Sequence, residues 1–290
     1  MILVDAHVHL HPRFPTGEFL DAAAENFASA AALAGAGASF TGVICLTESA
    51  QTNRFEALAR NGQPESDATA GGWTFRSSPD GVMLQAGCGR NRTLWIAAGR
   101  QVVSSDGLEV LALCTAAKFR DRELPLAELV GRVLDTGALA VVPWGTGKWW
   151  GRRGRIVSDL IACGPRRGLF LGDNSGRPAF LAAHPHFDQA TTRGIRILPG
   201  TDPLPFDREA RRVGGNGIIL NGDLDLSRPC DDLKARLTSP AAMLTPYGNR
   251  ESLVRFVRNQ IAMQWVKRFN GASPVKKPPQ LPHDRGAGKS

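Results

Sequence analysis

Short apolar runs alternate with amphipathic stretches along most of this chain. The runs are Ile2 to Leu10, Phe40 to Leu46, Leu94 to Val103, Leu139 to Trp144, Leu169 to Gly172, Ile195 to Leu198 and Gly217 to Leu220. Several are rich in β-branched residues and most end in Gly, Pro, Asp, Asn or Ser, the pattern of buried parallel strands. Between them, helices are predicted over Glu18 to Leu33, Arg54 to Arg60, Pro125 to Leu134, Arg155 to Ala162 and Phe187 to Thr192, with a weaker one at Asp207 to Arg212. This alternation implies right-handed crossovers, a parallel sheet and helices outside it, with seven candidate barrel strands. Two stretches break the rhythm. Gly71 to Gly87 is rich in Gly and Ser around a Pro79-Asp80-Gly81 turn, and Val103 to Gly107 followed by Leu108 to Cys114 predicts a hairpin folding back beside the third strand.

Near the end, Asn249 precedes a long predicted helix whose Leu253, Phe256, Val257 and Ile261 share a face spaced to pack against the barrel. Residues 271–290 lack apolar periodicity and read as a disordered basic tail. The expected organisation is therefore one domain over residues 1–270, closed by a C-terminal helix, and a tail over 271–290.

Composition narrows the class. The chain has 290 residues, 42% hydrophobic and 21% charged, enough to bury a sizeable core. No repeat of fixed period is present, which excludes solenoids and propellers. No apolar run approaches the roughly eighteen residues of a membrane span, and the N-terminus carries Asp5 and histidines instead of a signal peptide's basic and apolar segments. The five cysteines are odd in number, far apart and without a C-x-x-C pair. They suggest neither a disulfide framework nor a zinc–thiolate site, so a reducing cytoplasm is expected. A net charge of +8, concentrated between Lys148 and Arg167 and in the tail, favours anionic partners. A small anionic substrate fits; nucleic acid is not specifically indicated, and the oligomeric state is not encoded.

The first run holds the chemistry: Val4-Asp5-Ala6-His7-Val8-His9-Leu10-His11. Side chains two apart on a strand point the same way, so His7 and His9 can offer two imidazole nitrogens to one ion or to a close pair. At a barrel strand's C-terminal end they would open on the catalytic face. His11 precedes Pro12 and is expected in a loop. A divalent ion held by imidazoles needs an anionic donor from a distant strand end, and Asp202, directly after the sixth run, is the candidate. Glu48 and Asp173 also stand at strand ends, as candidates for a general base. After the fourth strand, Gly145 to Gly154 carries Lys148, Arg152 and Arg153, with Trp149 and Trp150 able to stack on a ring. It lacks the G-x-x-x-x-G-K-[ST] spacing of a P-loop, but Lys148 and Arg152, with Arg177, could hold an anionic group.

With these motifs the chain resembles the polymerase and histidinol phosphatase (PHP) domain family, and more distantly the amidohydrolases. The resemblance spans about residues 1–225 and rests on Asp5-x-His7-x-His9, the third strand and hairpin from Trp95 to Cys114, the helix Leu124 to Leu134, the run Gly137 to Trp144, and Gly200-Thr201-Asp202. It implies an α/β fold of distorted, seven-stranded (β/α) TIM-like barrel type with an inserted β-hairpin, and metal-dependent phosphoesterase activity with two or three divalent ions. The chain departs from the family pattern where Gln101 replaces a ligating Glu, Trp144 a His, and Leu204 the His of the late motif. By motif only His7, His9 and Asp202 carry over, which leaves one ion, zinc, manganese or iron. The expectation is a metal-dependent hydrolase of a phosphate ester. Its rivals are a PHP-like scaffold without catalysis and an amidohydrolase acting on an amide or lactone.

Overall fold

The computed structural model describes residues 1–36, 39–61, 71–89, 92–178, 184–248 and 252–270. The elements follow in the order β1 (Ile2–Val8), α1 (Thr16–Leu33), β2 (Thr41–Leu46), α2 (Arg54–Asn61), β3 (Thr74–Ser77), β4 (Met83–Cys88), β5 (Arg92–Ala97), β6 (Gly99–Val103), β7 (Glu109–Leu113), α3 (Leu126–Asp135), β8 (Leu139–Pro143), α4 (Gly151–Ala162), β9 (Leu169–Asn174), α5 (Pro185–Thr192), β10 (Arg196–Gly200), a 3-10 turn (Asp207–Arg212), β11 (Asn216–Leu220), α6 (Pro229–Thr238), β12 (Thr245–Gly248) and α7 (Leu253–Asn270). They build two sheets: seven strands in the order β12-β11-β1-β2-β5-β4-β3, and five in the order β10-β9-β8-β7-β6.

The layers follow from the strands' side chains. In β1, Leu3 faces α1 in a core with Phe19, Ala23 and Phe27, while Ile2 and Val4 face the second sheet in a core with Leu111, Val141, Phe170 and Leu198. Helix α6 closes this inter-sheet core with Cys230, Leu233 and Leu237. A third core lies between the five-stranded sheet and α3, α4 and α5, where Val130, Val133, Val157, Ile161 and Phe187 pack on Val110, Val142 and Leu171. Strands buried on both faces account for the near-continuous apolar runs in the sequence.

The expected seven-stranded TIM-like barrel is not formed, because neither sheet closes on itself. The third run is the reason. Its apolar pattern reads as one strand from Leu94 to Val103, but the structure divides it into two, β5 in the first sheet and β6 in the second. The chain changes sheet at Gly99, where an added Cβ would press into the Leu46 carbonyl and lie 2.8 Å from that of Ala112. Antiparallel pairing also replaces barrel order, since β11 runs against β1, β4 against β5, and β7 against both β6 and β8. The Gly/Ser-rich stretch supplies β3 and β4, and Thr245–Gly248 supplies β12, so both edges of the larger sheet are occupied by strands absent from the apolar count. At the seams between the sheets a lone bridge joins Glu48 to Arg100, and the Asp202 amide donates to the His7 carbonyl at 2.7 Å.

The expected β6–β7 hairpin is present, with Gly99 opposite Leu113 and Val103 opposite Glu109. Helix α7 exists but turns the other way from expectation. Leu253, Val257 and Ile261 are exposed, whereas Asn259 is buried and accepts a hydrogen bond from Arg208 (2.6 Å). Residues 271–290, expected as a tail, lie outside the described residues. Among the described residues no helix is long and apolar enough to cross a membrane.

Candidate metal centre

His7, near the end of β1, and His9, just beyond it, meet Asp202, which follows β10. His7 Nε2 lies 3.2 Å from His9 Nε2 and 3.4 Å from Asp202 Oδ1, and His9 Nε2 is 3.5 Å from the same oxygen. Two local devices bring them together. Between Asp5 and Val8, β1 carries one residue more than β2, a bulge that re-aims the side chains around His7. Opposite it, Gly200 lets β10 cross β1 closely: an added Cβ would press into the His7 nitrogen and lie 2.6 Å from the His7 Cβ. Asp202 then adopts φ of 47°, a left-handed conformation that Asp tolerates better than most residues, which turns its carboxylate back toward the imidazoles.

Other side chains hold this arrangement. The buried Asp5 carboxylate accepts from Thr201 N (2.8 Å), Thr201 Oγ1 (2.6 Å) and Gly214 N (2.9 Å), fixing the turn before Asp202. Burial pushes the Asp5 carboxyl up to about 7 against those donors. Asn174, at the end of β9, donates through Nδ2 to Asp202 Oδ2 (2.9 Å) and to the Trp144 carbonyl (3.0 Å). Thr47 Oγ1 lies 3.5 Å from His9 Nδ1. Two buried polar atoms at the centre, His7 Nδ1 and Asn174 Oδ1, have no hydrogen-bond partner.

The electrostatics favour a neutral imidazole beside an ionised acid. Burial, reinforced by His7, pulls His9 down to about 3. Burial pushes the Asp202 carboxyl up, but His7, His9, Lys148 and His11 together hold it below the usual carboxylate range. These are the protonation states a divalent cation requires of its ligands.

The three atoms fit an ion. Donors at about 2.0–2.2 Å around one four-coordinate ion stand roughly 3.3–3.6 Å apart. The observed sides of 3.2 to 3.5 Å form a nearly equilateral triangle whose corners lie about 1.9 Å from their common centre. Among the described residues this is the one group of three His, Cys, Asp or Glu side chains converging in this way.

The centre opens on a cavity of about 340 Å³ lined by His9, His11, Glu48, Glu109, Lys148 and Asp202, with an outer wall that includes Leu204 and Met263 of α7. Gln260 of α7 reaches Thr146 (3.4 Å), beside this mouth. His11 donates to the Pro203 carbonyl at 3.0 Å and stays outside the triangle. Lys148 lines the cavity in an ion pair with Glu109. Glu48 lines it too, but its carboxylate caps α2 by accepting from the Arg54 and Phe55 amides; burial raises its carboxyl despite those bonds and Arg100.

The remaining candidates lie apart from the triangle. Arg152 is exposed on α4, 3.8 Å from Asp106. Asp173 faces away from its neighbour Asn174 and grips Arg177, which is buried and lies over the Phe187 ring at 4.9 Å. Trp149 is buried against His184, His186 and Phe187, and Trp150 is exposed. Of the three residues expected from the sequence to depart from the PHP pattern, Trp144 is buried and offers its carbonyl to Asn174, while Gln101 and Leu204 line the cavity. Neither Asn174 nor Glu109 is among the site residues expected from the sequence. Asn174 has one available signal: it alternates with Asp173 at the end of a strand, and only one of the two can face the centre.

No protein-family model matches the sequence, and no curated protein matches it. Among solved structures the chain is similar to a crystal structure of PsfC from Pseudomonas syringae PB-5123, with a TM-score of 0.51 at 16% identity. The match covers 91% of this chain and 98% of that one, and it is a likeness of fold alone.

Proposed function

We propose that this chain is a metal-dependent hydrolase of a phosphate ester that holds one divalent ion between His7, His9 and Asp202. The observation that carries this reading is the triangle of donor atoms, whose edges of 3.2 to 3.5 Å suit three donors sharing one ion. Zinc, manganese and iron all remain candidates for it. Three protein donors with a cavity at the fourth position are the arrangement of a catalytic rather than a structural zinc site. When bound, such an ion supplies Lewis-acid chemistry. Lys148 and His11 line the cavity where an anionic group would sit. Of the two acids expected as general base, Glu48 alone lines the cavity, and burial lifts its carboxyl toward the range useful for proton transfer. Kinship with the PHP family is proposed on the three matching ligands, and a cytoplasmic setting on the five free cysteines.

A non-catalytic scaffold is the second reading, favoured by the partners that already occupy Glu48 and Lys148. Protein purified without chelator or affinity histidines, analysed for metal and assayed on phosphate monoesters, separates the two. The hydrolase reading expects about one equivalent of metal and turnover, both lost in His9→Ala. Metal-free protein that takes up no zinc would overturn it.

A further inference from the structure

We propose a second binding site, at the end of the fold away from the metal centre, for a small carboxylate with an apolar body. The carboxylate meets Arg167, and the apolar body lies against the end of α6. The site is independent of the reaction proposed for the metal centre.

The site is a cavity of about 700 Å³, larger than that of the metal centre and of the size small-molecule pockets have. It lies between the turn before β9, the start of β10 and the last turn of α6. The parallel strands β9 and β10 begin here and end at Asn174 and Gly200, so the two cavities stand at opposite ends of the same strands. Leu169, Phe170, Leu237 and Pro240 supply apolar wall, and no acid lines the cavity. Three arginines do.

These three guanidinium groups differ in what already holds them. Arg196 is half-buried and donates to the carbonyls of Leu237 (3.0 Å), Ser239 (2.7 Å) and Ala242, which ties the chain after α6 to β10. Carbonyl dipoles leave its charge uncancelled, and burial pulls its pKa below the ordinary value with no carboxylate opposing. Arg166 rests over Gly131 of α3, where an added Cβ would lie 3.8 Å from both of its Nη nitrogens. Arg167 is set apart from both by a turn. The Leu169 amide donates to the Arg166 carbonyl (2.9 Å) and Gly168 takes φ of 87°, as the third residue of a type II turn does, which leaves Arg167 exposed at the second position. Among the described residues the Arg167 guanidinium has no ion pair or hydrogen bond, and the Ser239 hydroxyl, on the same cavity, has none either. Uncancelled positive charge over an apolar floor selects an anion with an apolar body, and a free guanidinium fork matches a carboxylate.

The test is calorimetry on the full chain with straight-chain carboxylates from hexanoate to decanoate, each compared below its micellar range with the alcohol of the same length. At least one carboxylate should bind once per chain and about tenfold more tightly than its alcohol, the scale of one charge-assisted hydrogen bond. Arg167→Gln, at an exposed turn position, should remove that preference and leave the alcohol's affinity unchanged. Ala235→Trp, at an exposed position of α6 that lines the cavity, should abolish binding of both while Tm stays within error of the parent. His9→Ala should bind the carboxylate as the parent does. No binding by the whole series, equal affinity of carboxylate and alcohol, a preference that survives Arg167→Gln, or binding that survives Ala235→Trp overturns the site. Loss of binding in His9→Ala would place the ligand at the metal centre and overturn it as well.

Discussion

The two sheets meet at two crossings built from the same parts, a glycine and a carboxylate, and the carboxylates end in different states. At one, Gly99 passes Leu46 and Glu48 follows β2; at the other, Gly200 passes His7 and Asp202 follows β10. Glu48 spends its oxygens on the first amides of α2, with Arg100 3.9 Å away. Asp202 receives one amide donor from Asn174 on Oδ2 and presents Oδ1 to two imidazoles. Position at a strand end therefore does not make a ligand. The donors that reach the acid first decide, and a helix beginning six residues later satisfies Glu48 before an ion could.

The largest separation of the crossings should come from alanine at each glycine. Both substitutions force overpacking, expected to cost about 1–3 kcal/mol or more in urea denaturation. Gly200→Ala should also abolish stoichiometric metal, because it displaces His7 from Asp202, whereas Gly99→Ala protein that remains folded should keep its metal. Equal metal retention in both would erase the distinction.

Next in size is Asp202→Asn, which preserves shape and tolerance of the left-handed backbone but removes the charge; metal content should fall from about one equivalent to near zero. The matching Glu48→Gln should leave metal content unchanged. Asn174→Ala should have a smaller effect, weakening metal affinity by about 10–100-fold as measured by chelator competition, since it frees the Asp202 oxygen that faces away from the imidazoles. Rescue by Asn174→Gln is not expected, because the longer amide cannot reach both Trp144 and Asp202 from the same strand position.

How much of this is legible in the sequence varies with the feature. His7 and His9 are readable from period-two spacing on an apolar run, and Asp202 from its place after another run. The bulge that re-aims β1 and the close passage at Gly200 leave no apolar signature, so spacing alone brings the three ligands to strand ends without showing that they meet. The barrel expectation fails because Ala98-Gly99 lies inside the run from Leu94 to Val103, which reads as one strand, and apolar pattern reports burial, not which sheet buries a residue. Helix α6 escapes the same pattern, although Pro229 at its first turn and the buried Cys230, Leu233 and Leu237 mark it in retrospect. In α7, the helical spacing of Leu253, Val257 and Ile261 is real, but Asn259 and the cavity wall at Met263 decide which side turns inward.

A finer contrast separates Lys148 from Arg152. Lys148→Ala should weaken phosphonate binding to the zinc-loaded protein by about tenfold, the scale of one charge-assisted hydrogen bond, with Arg152→Ala within error of the parent. The smallest expected effect returns to Glu48. Burial raises its carboxyl, so between its ordinary value and its raised one the folded chain keeps a proton that the unfolded chain has released. Stability then falls as pH rises through that window. Glu48→Gln should flatten this part of a plot of Tm against pH, and an unchanged slope would show that the α2 amides outweigh burial.

The left-handed backbone at Asp202 also limits how this site can be altered, by drift or by design. A residue there must tolerate φ of 47°, which favours Gly, Asn and Asp and penalises β-branched or bulky side chains. Of these only Asp supplies an anionic ligand. Lengthening it to Glu would combine a disfavoured conformation with a displaced carboxylate, and Cys would exchange the hard donor for a soft one in the same unfavourable geometry. Metal preference is therefore more readily retuned through the imidazole positions, so variants selected for a different ion should accumulate changes at residues 7 and 9 while residue 202 stays fixed.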